Sequence, residues 1–529
     1  MDSYRRRPVA QDAKCQSPFT MTKELTMTDT QVVIAGAGPT GLMLACELRL
    51  AGVDVLVLER LPEPRTVESR AGGLHIRTME TLDQRGLLDR FLKRGRRRQG
   101  VHFSALRLDV SDVTARHPYV LVILQSQVER LLEERAAEAG VRLRRGAEVA
   151  GFTQDETGVT VELADGSRVR ADHLVGCDGG RSTVRKLAGI EFPGTPATMT
   201  ALLGDVELAE PPADDIFQER REHGSFSVLS FGSDWYRVLT NEFDHVADRD
   251  EPVTLETLRK ALLKIAGTDY GMHSPRWLSR HGDAARQADR YREGRVLLAG
   301  DAAHIHFPAG GQGLNTGVQD AVNLGWKLAA VVRGQAPDLL LDTYQTERHP
   351  VAARVLQNTR AQTALWRVDD HTSALREVLR DLIGIDEVRL RLAGVITATD
   401  IRYPMEGTDD LLGRRMPDLD IGHGRVYELL HCARAVLLDL GGLPPLDAVV
   451  TGWADRVDLV RARPAEGSDL VADAVFIRPD GHVAWVTRAG ERPDLDALRT
   501  ALTTWLGPAS LAGAHLRHRP ALRPTPTPD

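Results

Sequence analysis

Residues 31–60 read QVVIAGAGPTGLMLACELRLAGVDVLVLER: an apolar strand, a glycine-rich loop, a helical stretch, a second apolar strand and then Glu59. No other stretch narrows the choice of fold as much, because each part of this unit has its own task in holding a dinucleotide. Gly36 permits the sharp turn off the strand, Gly38 lets backbone N–H groups approach a pyrophosphate, and Gly41 allows close helix–strand packing. Pro39 and Thr40 complete the loop, and the pyrophosphate is expected on the N-terminus of the following helix. Glu59, with Arg60 beside it, lies 18 residues beyond Gly41, where a carboxylate accepts hydrogen bonds from a ribose. A negative group there disfavours a 2′-phosphate, so the motif predicts FAD or NAD rather than NADP at this site.

A chain of 529 residues, 42% hydrophobic and 27% charged, is long enough for two to four globular domains. Its net charge of −7 argues against a nucleic-acid partner. The basic run 93–98 (KRGRRR) has no interleaved aromatics and reads as a solvated loop or helix end. Cys15, Cys46, Cys177 and Cys432 are far apart, contain no CxxC and fit thiols in a reducing cytoplasm. No apolar run approaches the length of a membrane span, and the first 26 residues lack the apolar segment of a secretory signal. We read 1–29 and the proline-rich 511–529 as disordered tails.

Further along, helical spacing begins at Met79 with a break at Gly86. A short strand at 119–124 precedes Gln125 and an amphipathic helix over 126–139, ended by Gly140. Residues 158–180 alternate as strands around a hairpin turn at Asp165-Gly166. Aromatics become denser over 194–290, which reads as a β-rich insertion. Helices are predicted over 317–332 and from Asp342, 404–413 reads as a linker, and 415–507 carries a strand at 435–440, a helix around Trp453 and a hairpin turning at Asp480-Gly481.

Three glycine-bearing loops, 36–41, 176–185 and 300–315, each follow an apolar strand. In a doubly wound sheet, loops at strand carboxyl ends converge on one crevice, so one long ligand could touch all three. In the third, GDAAHIHFPAGGQGLNTG, Asp301 is an acceptor for sugar-alcohol hydroxyls. Gly310, Gly311, Gln312 and Gly313 offer consecutive backbone N–H groups at a helix start, suited to negative charge on a reduced heterocycle.

With these motifs in order, the chain resembles the class A flavoprotein monooxygenases, aromatic hydroxylases of the para-hydroxybenzoate hydroxylase type. Their pattern is GxGxxG, then a DG motif (here CDGGRSTVR), then GDAAHxxxPxxGQGxN and DAxNLxWKL (here from Asp320). Within the family it looks most like the bacterial aromatic polyketide hydroxylases and the rifampicin monooxygenases, over about residues 31–510. The resemblance includes Tyr344, Glu347, Arg348, His349 and Pro350, and a tail beginning LLGRRMPDL at Leu411. It implies an α/β fold with three domains. A Rossmann-like, glutathione-reductase-type FAD domain spans 31–193 and 291–403, a substrate-binding β-sheet domain 194–290, and a thioredoxin-like domain lacking CxxC 411–510.

The resemblance also implies bound FAD, with NADPH or NADH and O₂ as co-substrates and hydroxylation through a C4a-hydroperoxyflavin. Glu59 would hold the adenosine ribose, Arg70 or Arg77 the pyrophosphate, Gln125 the adenosine side, and Asp178 with Gly179 the DG loop. Asp301 would hold the ribityl chain, while Pro308, Gly310, Gly311, Gln312, Gly313, Leu314 and Asn315 would line the isoalloxazine. Pro308, Gly310 and Gly311 would act in catalysis through the backbone, with no side-chain base assigned. Leu124 departs from the proline that relatives place before the glutamine, a change expected to alter a loop more than the chemistry.

Substrate is expected between flavin and the 194–290 region, as a planar polycyclic phenol contacted by Phe226, Phe231, Trp235, Tyr236 and, inside the flavin loop, Phe307. A β-domain also needs core aromatics, and for any single one of the first four that is the commoner role. Cys177 reads as a packed small residue. His304 and His306 alternate like a metal pair but lack a third ligand nearby, so no metal is predicted. His223, Arg220 and Arg221 suit a solvated face better than a phenolate contact. The expected function is a cytoplasmic monooxygenase, monomer or homodimer, acting on a polycyclic aromatic polyketide. The alternatives are an oxygenase inactivating a rifampicin-type antibiotic and a flavin-binding protein without turnover.

Overall fold

The computed structural model describes residues 29–66, 70–232, 234–248, 251–422, 424–443, 446–465 and 470–510. The expected tails, apart from Asp29, lie outside these residues. The architecture is mixed α/β, as expected, and is built on an eight-stranded sheet. At its centre Thr30–Ala35 runs parallel to Val55–Glu59 on one side and to Arg168–Gly176 on the other. Arg142–Arg145 extends the sheet beyond Val55–Glu59, and Val296–Leu298 extends it beyond Arg168–Gly176, both in parallel. The central strands are apolar and buried because helices Pro39–Leu50 and Gln312–Val332 cover them.

Register decides what this sheet can hold. Ala35 pairs with both Gly176 and Leu58, and Gly176 pairs with Leu298. Four strands therefore end at one level, and the loops that follow three of them are the three glycine loops. The alternating segment before the second loop forms the hairpin predicted at Asp165-Gly166, with Gly166 at φ +82°. Helix Gln125–Glu138 matches its sequence pattern to within one residue, and Gly140 follows it at φ +74°. Leu124 holds φ −67° and ψ 143°, values a proline ring also allows, so the loop keeps the backbone a proline would give it.

The 194–290 region is an antiparallel five-stranded sheet in the order Ile216–Arg221, Gly224–Ser230, Tyr236–Glu242, Thr200–Leu208 and Met272–Gly282. One face packs on helix Leu255–Ala266. That helix is capped by Thr254, whose hydroxyl accepts from the Thr257 N–H, and it presents Leu258, Ala261, Leu262 and Ile265 at helical spacing. Side chains alternate across each strand, so Phe226, Val228 and Val238 enter this core while Ser227, Leu229, Arg237, Leu239 and Asn241 point the other way, into a cavity.

The C-terminal part is a four-stranded sheet. Ala435–Asp439 pairs in parallel with Val457–Arg461 and antiparallel with Ala472–Ile477, which forms a hairpin with Val483–Arg488. Helix Leu495–Leu506 covers it, and two helices without a clear sequence signal, Asp370–Ile383 and Asp386–Thr397, follow the long helix Asp342–Ala364. Among the described residues no helix is long and apolar enough to cross a membrane. The basic run requires correction. Arg96–Arg98 is an edge strand paired with Val120–Val122, and its three arginines stand on the rim of the cavity. β-Pairing with a short apolar strand overrides the helical pattern that precedes the run.

Candidate active site

A single cavity of about 1810 Å³ runs from Glu59 and Gln125 past the three glycine loops to the open face of the five-stranded sheet. Drug-sized pockets occupy roughly 300–1,000 Å³, so there is room here for a dinucleotide and a second ligand together. The first loop shows why it needs its glycines. A Cβ on Gly36 would stand 2.4 Å from the Cys177 carbonyl oxygen, and one on Gly41 2.0 Å from that of Gly36. Gly38 differs, because its Cβ would meet nothing within 4 Å and would project into space left for a ligand. Pro39 and Thr40 also line this space, at the start of helix Pro39–Leu50.

Glu59 lies at the far end. Its Oε2 accepts from the Ala37 N–H at 2.8 Å and its Oε1 from the Leu61 N–H at 2.9 Å. A carboxylate has about four acceptor sites, which leaves two for ribose hydroxyls. Arg60 and Arg70 line the cavity nearby. Gln125 accepts the Ala71 N–H through Oε1 and so holds the loop that carries Arg70. On the second loop, Asp178 Oδ2 accepts the N–H groups of Thr183 and Val184, while Oδ1 is buried with no partner, and Gly179 sits beside it at φ +81°. An orphaned acceptor beside an open glycine is what a hydroxyl- and phosphate-bearing ligand would complete. Asp301 is exposed into the same space.

At the third loop Gly310 and Gly311 hold φ +71° and +68°, a left-handed pair that turns the chain into helix Gln312–Val332. Pro308, Gly310, Gly311, Gly313, Leu314 and Phe307 all face the cavity. Gln312 and Asn315, expected to line it, do not. Gln312 Nε2 donates to Asn358 Oδ1, and Asn315 accepts the His75 N–H while donating to the carbonyls of Gly73 and Gly311. They fasten the loop from behind, because positions 312 and 315 share one face of the helix and that face is turned into the core, while Gly313 and Leu314 face the cavity. Burial pushes His75, His102 and His281 down to about 4 and lowers His306, so the cavity's imidazoles are neutral at pH 7.

Arg77 is a second correction. It is buried away from the cavity, pairs with Glu80 at 3.4 Å and donates to the Asp480 carbonyl, because helix Ile76–Asp83 turns that face toward the C-terminal sheet. Phe226, Trp235 and Tyr236 also fall outside the lining. Phe226 stands in the sheet–helix core, Tyr236 packs against that core, and Trp235 stacks on Phe231 with centroids 5.3 Å apart. Phe231 alone of these four reaches the cavity, with the Arg237 guanidinium 5.2 Å from its ring centroid. Phe226→Ala should therefore cost about 3–5 kcal/mol of stability, seen in urea melts, whereas Phe231→Ala should mainly weaken ligand binding. Cys177 is held protonated by burial, with its pKa raised well above the usual thiol value.

The whole chain finds its relatives at this point. The FAD binding domain family matches residues 29–359, and the C-terminal family of aromatic-ring hydroxylases matches 409–509. The chain is a flavoprotein monooxygenase of the aromatic-ring hydroxylase family. It is 49% identical over 502 residues to the 12-dehydrotetracycline 5-monooxygenase/anhydrotetracycline 6-monooxygenase of Streptomyces rimosus, covering 91% of this chain and 99% of that one. It is also 49% identical over 489 residues to a rifampicin monooxygenase of Streptomyces venezuelae, covering 90% and 99%. The solved structure of the anhydrotetracycline hydroxylase OxyS from Streptomyces rimosus superimposes with a TM-score of 0.86 at 49% identity, over 91% of this chain and all of that one.

In this hydroxylase the later motif residues Asp320, Asn323, Trp326, Lys327, Glu347 and Arg348 form a buried ionic frame. Asp320 accepts the Gly300 N–H and His304 Nε2 through Oδ2, and Arg348 Nε through Oδ1 at 2.7 Å. The imidazole of His304 is thereby committed to the frame. Glu347 accepts from Lys327 Nζ at 2.8 Å, Asn323 Nδ2 at 2.6 Å and both terminal nitrogens of Arg478. Asp480, at the turn of the C-terminal hairpin, accepts from Arg478 and from Trp326 Nε1. The cations around Glu347 hold its carboxyl well below the usual range despite burial. A depressed folded-state pKa contributes stability above the unfolded carboxylate value near 4.5 and loses it as pH falls below that. Melts from pH 6 to pH 3 should show a steeper loss for the wild type than for Glu347→Gln.

Proposed function

We propose that this monooxygenase hydroxylates a polycyclic aromatic polyketide, using a reduced pyridine nucleotide and O₂. What supports the reading best is a cavity with room for FAD and a second ligand, closed on one side by a sheet face that mixes Ser227, Asn241 and Ser279 with Leu203, Leu229 and Trp277. Such a surface suits a flat phenolic ring system that carries many oxygens. FAD, when bound, supplies the two-electron chemistry and the activation of O₂. Glu59 would hold its adenosine ribose and the 36–41 loop its pyrophosphate. Asp178 and Asp301 would take its sugar-chain hydroxyls, and the Gly310–Gly311 backbone would face its ring. His75, His102 and His306, held neutral by desolvation, add no charge of their own to that end of the cavity.

We assign 31–193 with 291–403 to a Rossmann-like FAD domain, 194–290 to substrate binding, and 411–510 to a thioredoxin-like domain with no dithiol. Relatives named for tetracycline precursors and for rifampicin stand at equal identity. A second reading, inactivation of a rifampicin-type antibiotic in the cytoplasm, therefore keeps its place. The decisive experiment incubates the FAD-loaded protein with NADPH or NADH against tetracycline precursors, angucyclinones, anthracyclinones and rifampicin, with products read by mass. A gain of one oxygen on a polycyclic phenol supports the first reading. Oxidation confined to rifampicin moves it to the second, and no oxygenated product from any of them removes both.

A further inference from the structure

A second recess, of about 800 Å³, opens where strand Ile216–Arg221, the hairpin that carries Arg107 and helix Asp370–Ile383 meet. Five of its lining residues are arginines, Arg107, Arg220, Arg221, Arg376 and Arg380, against one carboxylate, Glu219. Two of the five are balanced, since Arg221 pairs with Glu219 and Arg380 with Glu377. For Arg107, Arg220 and Arg376 no carboxylate partner is found among the described residues. Arg376 is only 5% exposed. Its Nη1 donates to the Ser104 and Leu365 carbonyls, while its Nε is buried with no partner. Arg220 donates to the backbone carbonyls of Trp366 and Arg367. The guanidiniums of Arg220 and Arg380 repel that of Arg376, and desolvation with this repulsion pushes Arg376 down to about 10.

Asp369 attracts Arg220 and Glu377 attracts Arg376 without contact, yet desolvation outweighs both, so a recess gathering these arginines is short of a contacting counter-ion. The recess is larger than a bare anion needs, and Trp366, Leu106 and Ile383 give it an apolar wall against which a planar base can lie. Gln218 and Trp366 line both this recess and the main cavity, so a ligand held here is a neighbour of that cavity. We propose that the recess binds the 2′-phosphorylated adenosine end of NADPH. This rests on the reading that a reduced pyridine nucleotide is the co-substrate, and it would separate the two nucleotide sites by charge. Glu59 holds the dinucleotide without a 2′-phosphate, and the arginines hold the one that carries it.

Calorimetry on the FAD-loaded protein with 2′,5′-ADP, 5′-AMP and inorganic phosphate tests this without turnover. We expect 2′,5′-ADP to bind about tenfold tighter than 5′-AMP, to weaken with salt, and to be lost about tenfold in Arg107→Glu, since a charge-assisted phosphate contact is among the stronger hydrogen bonds. Arg107 is exposed and no hydrogen bond or ion pair of its side chain is found among the described residues, so its reversal leaves the fold intact. Arg376→Lys should weaken 2′,5′-ADP in the same direction. Equal affinity for the two nucleotides, or no effect of Arg107→Glu, overturns the proposal. So does inorganic phosphate that displaces 2′,5′-ADP at equal concentration, which would make the recess a bare anion pocket. If 2′,5′-ADP binds as expected but the enzyme oxidises neither NADPH nor NADH, the proposed function fails and the recess stands.

Discussion

Gly38→Asp should yield a protein that folds as well as the wild type and is colourless. Gly38 is the N-cap of helix Pro39–Leu50 at φ −75° and ψ 179°, a conformation any residue adopts, and a Cβ there meets nothing. Aspartate is a favoured N-cap, so the melting temperature should hold or rise slightly. Its carboxylate would occupy the N–H donors that a pyrophosphate needs and would set a negative charge against it. Like charges 4 Å apart cost about 4 kcal/mol at an effective dielectric of 20, roughly a thousandfold in affinity. Gly41→Ala makes the contrast, because its Cβ would stand 2.0 Å from the Gly36 carbonyl oxygen and should damage folding as well as FAD binding. Flavin absorbance after purification, FAD titration and thermal melts separate the two effects. A Gly38→Asp protein that keeps FAD within tenfold of wild-type affinity would remove the pyrophosphate from this loop.

Arg478→Ala should be the most destabilising single change outside the glycine loops. Its guanidinium is fully buried, shared between Glu347 and Asp480, and lies 4.3 Å from the Trp505 ring centroid. Removing it leaves two carboxylates in a dry interior with Lys327, Asn323, Trp326 and the His482 backbone N–H as remaining donors, a loss of about 3–5 kcal/mol. Because Glu347 stands on the helix next to Arg348, and Arg348 holds Asp320 under the Gly300 turn, the loss should reach the flavin loop. FAD release and unfolding should then fall at one lower urea midpoint. A double-mutant cycle with Glu347→Gln should show coupling between the two sites. A loss below about 1 kcal/mol, the size of an exposed ion pair, would mean that the frame carries little of the stability.

How far a residue's role could be read from the chain follows a physical division. Gly36, Gly38, Gly41 and Glu59 were legible because their tasks are local: a turn, a close approach, a strand end. The helix of residues 126–139 and the hairpins at Asp165-Gly166 and Asp480-Gly481 were legible for the same reason. The cavity lining was not. Phe226 and Ser227 are neighbours, yet one fills a core and the other faces the ligand space, and only strand register against helix Leu255–Ala266 sets which. The frame residues Asp320, Glu347 and Arg348 were visible as a pattern without a role, since their partners come from segments far along the chain.

Sequence by itself determined that three glycine-bearing loops each follow an apolar strand, the first in a dinucleotide-type unit, because backbone conformation at a glycine turn is decided within a few residues. Tertiary structure decided that Arg77 serves the C-terminal sheet and that Gln312 and Asn315 fasten the flavin loop from behind. It also decided that Phe231 alone of the four aromatics predicted in the 194–290 region reaches the cavity, and that arginines read as solvated stand on a cavity rim and around a second recess. Those outcomes depend on which elements pack together, and long-range packing is summed over the whole chain rather than written in any one stretch of it.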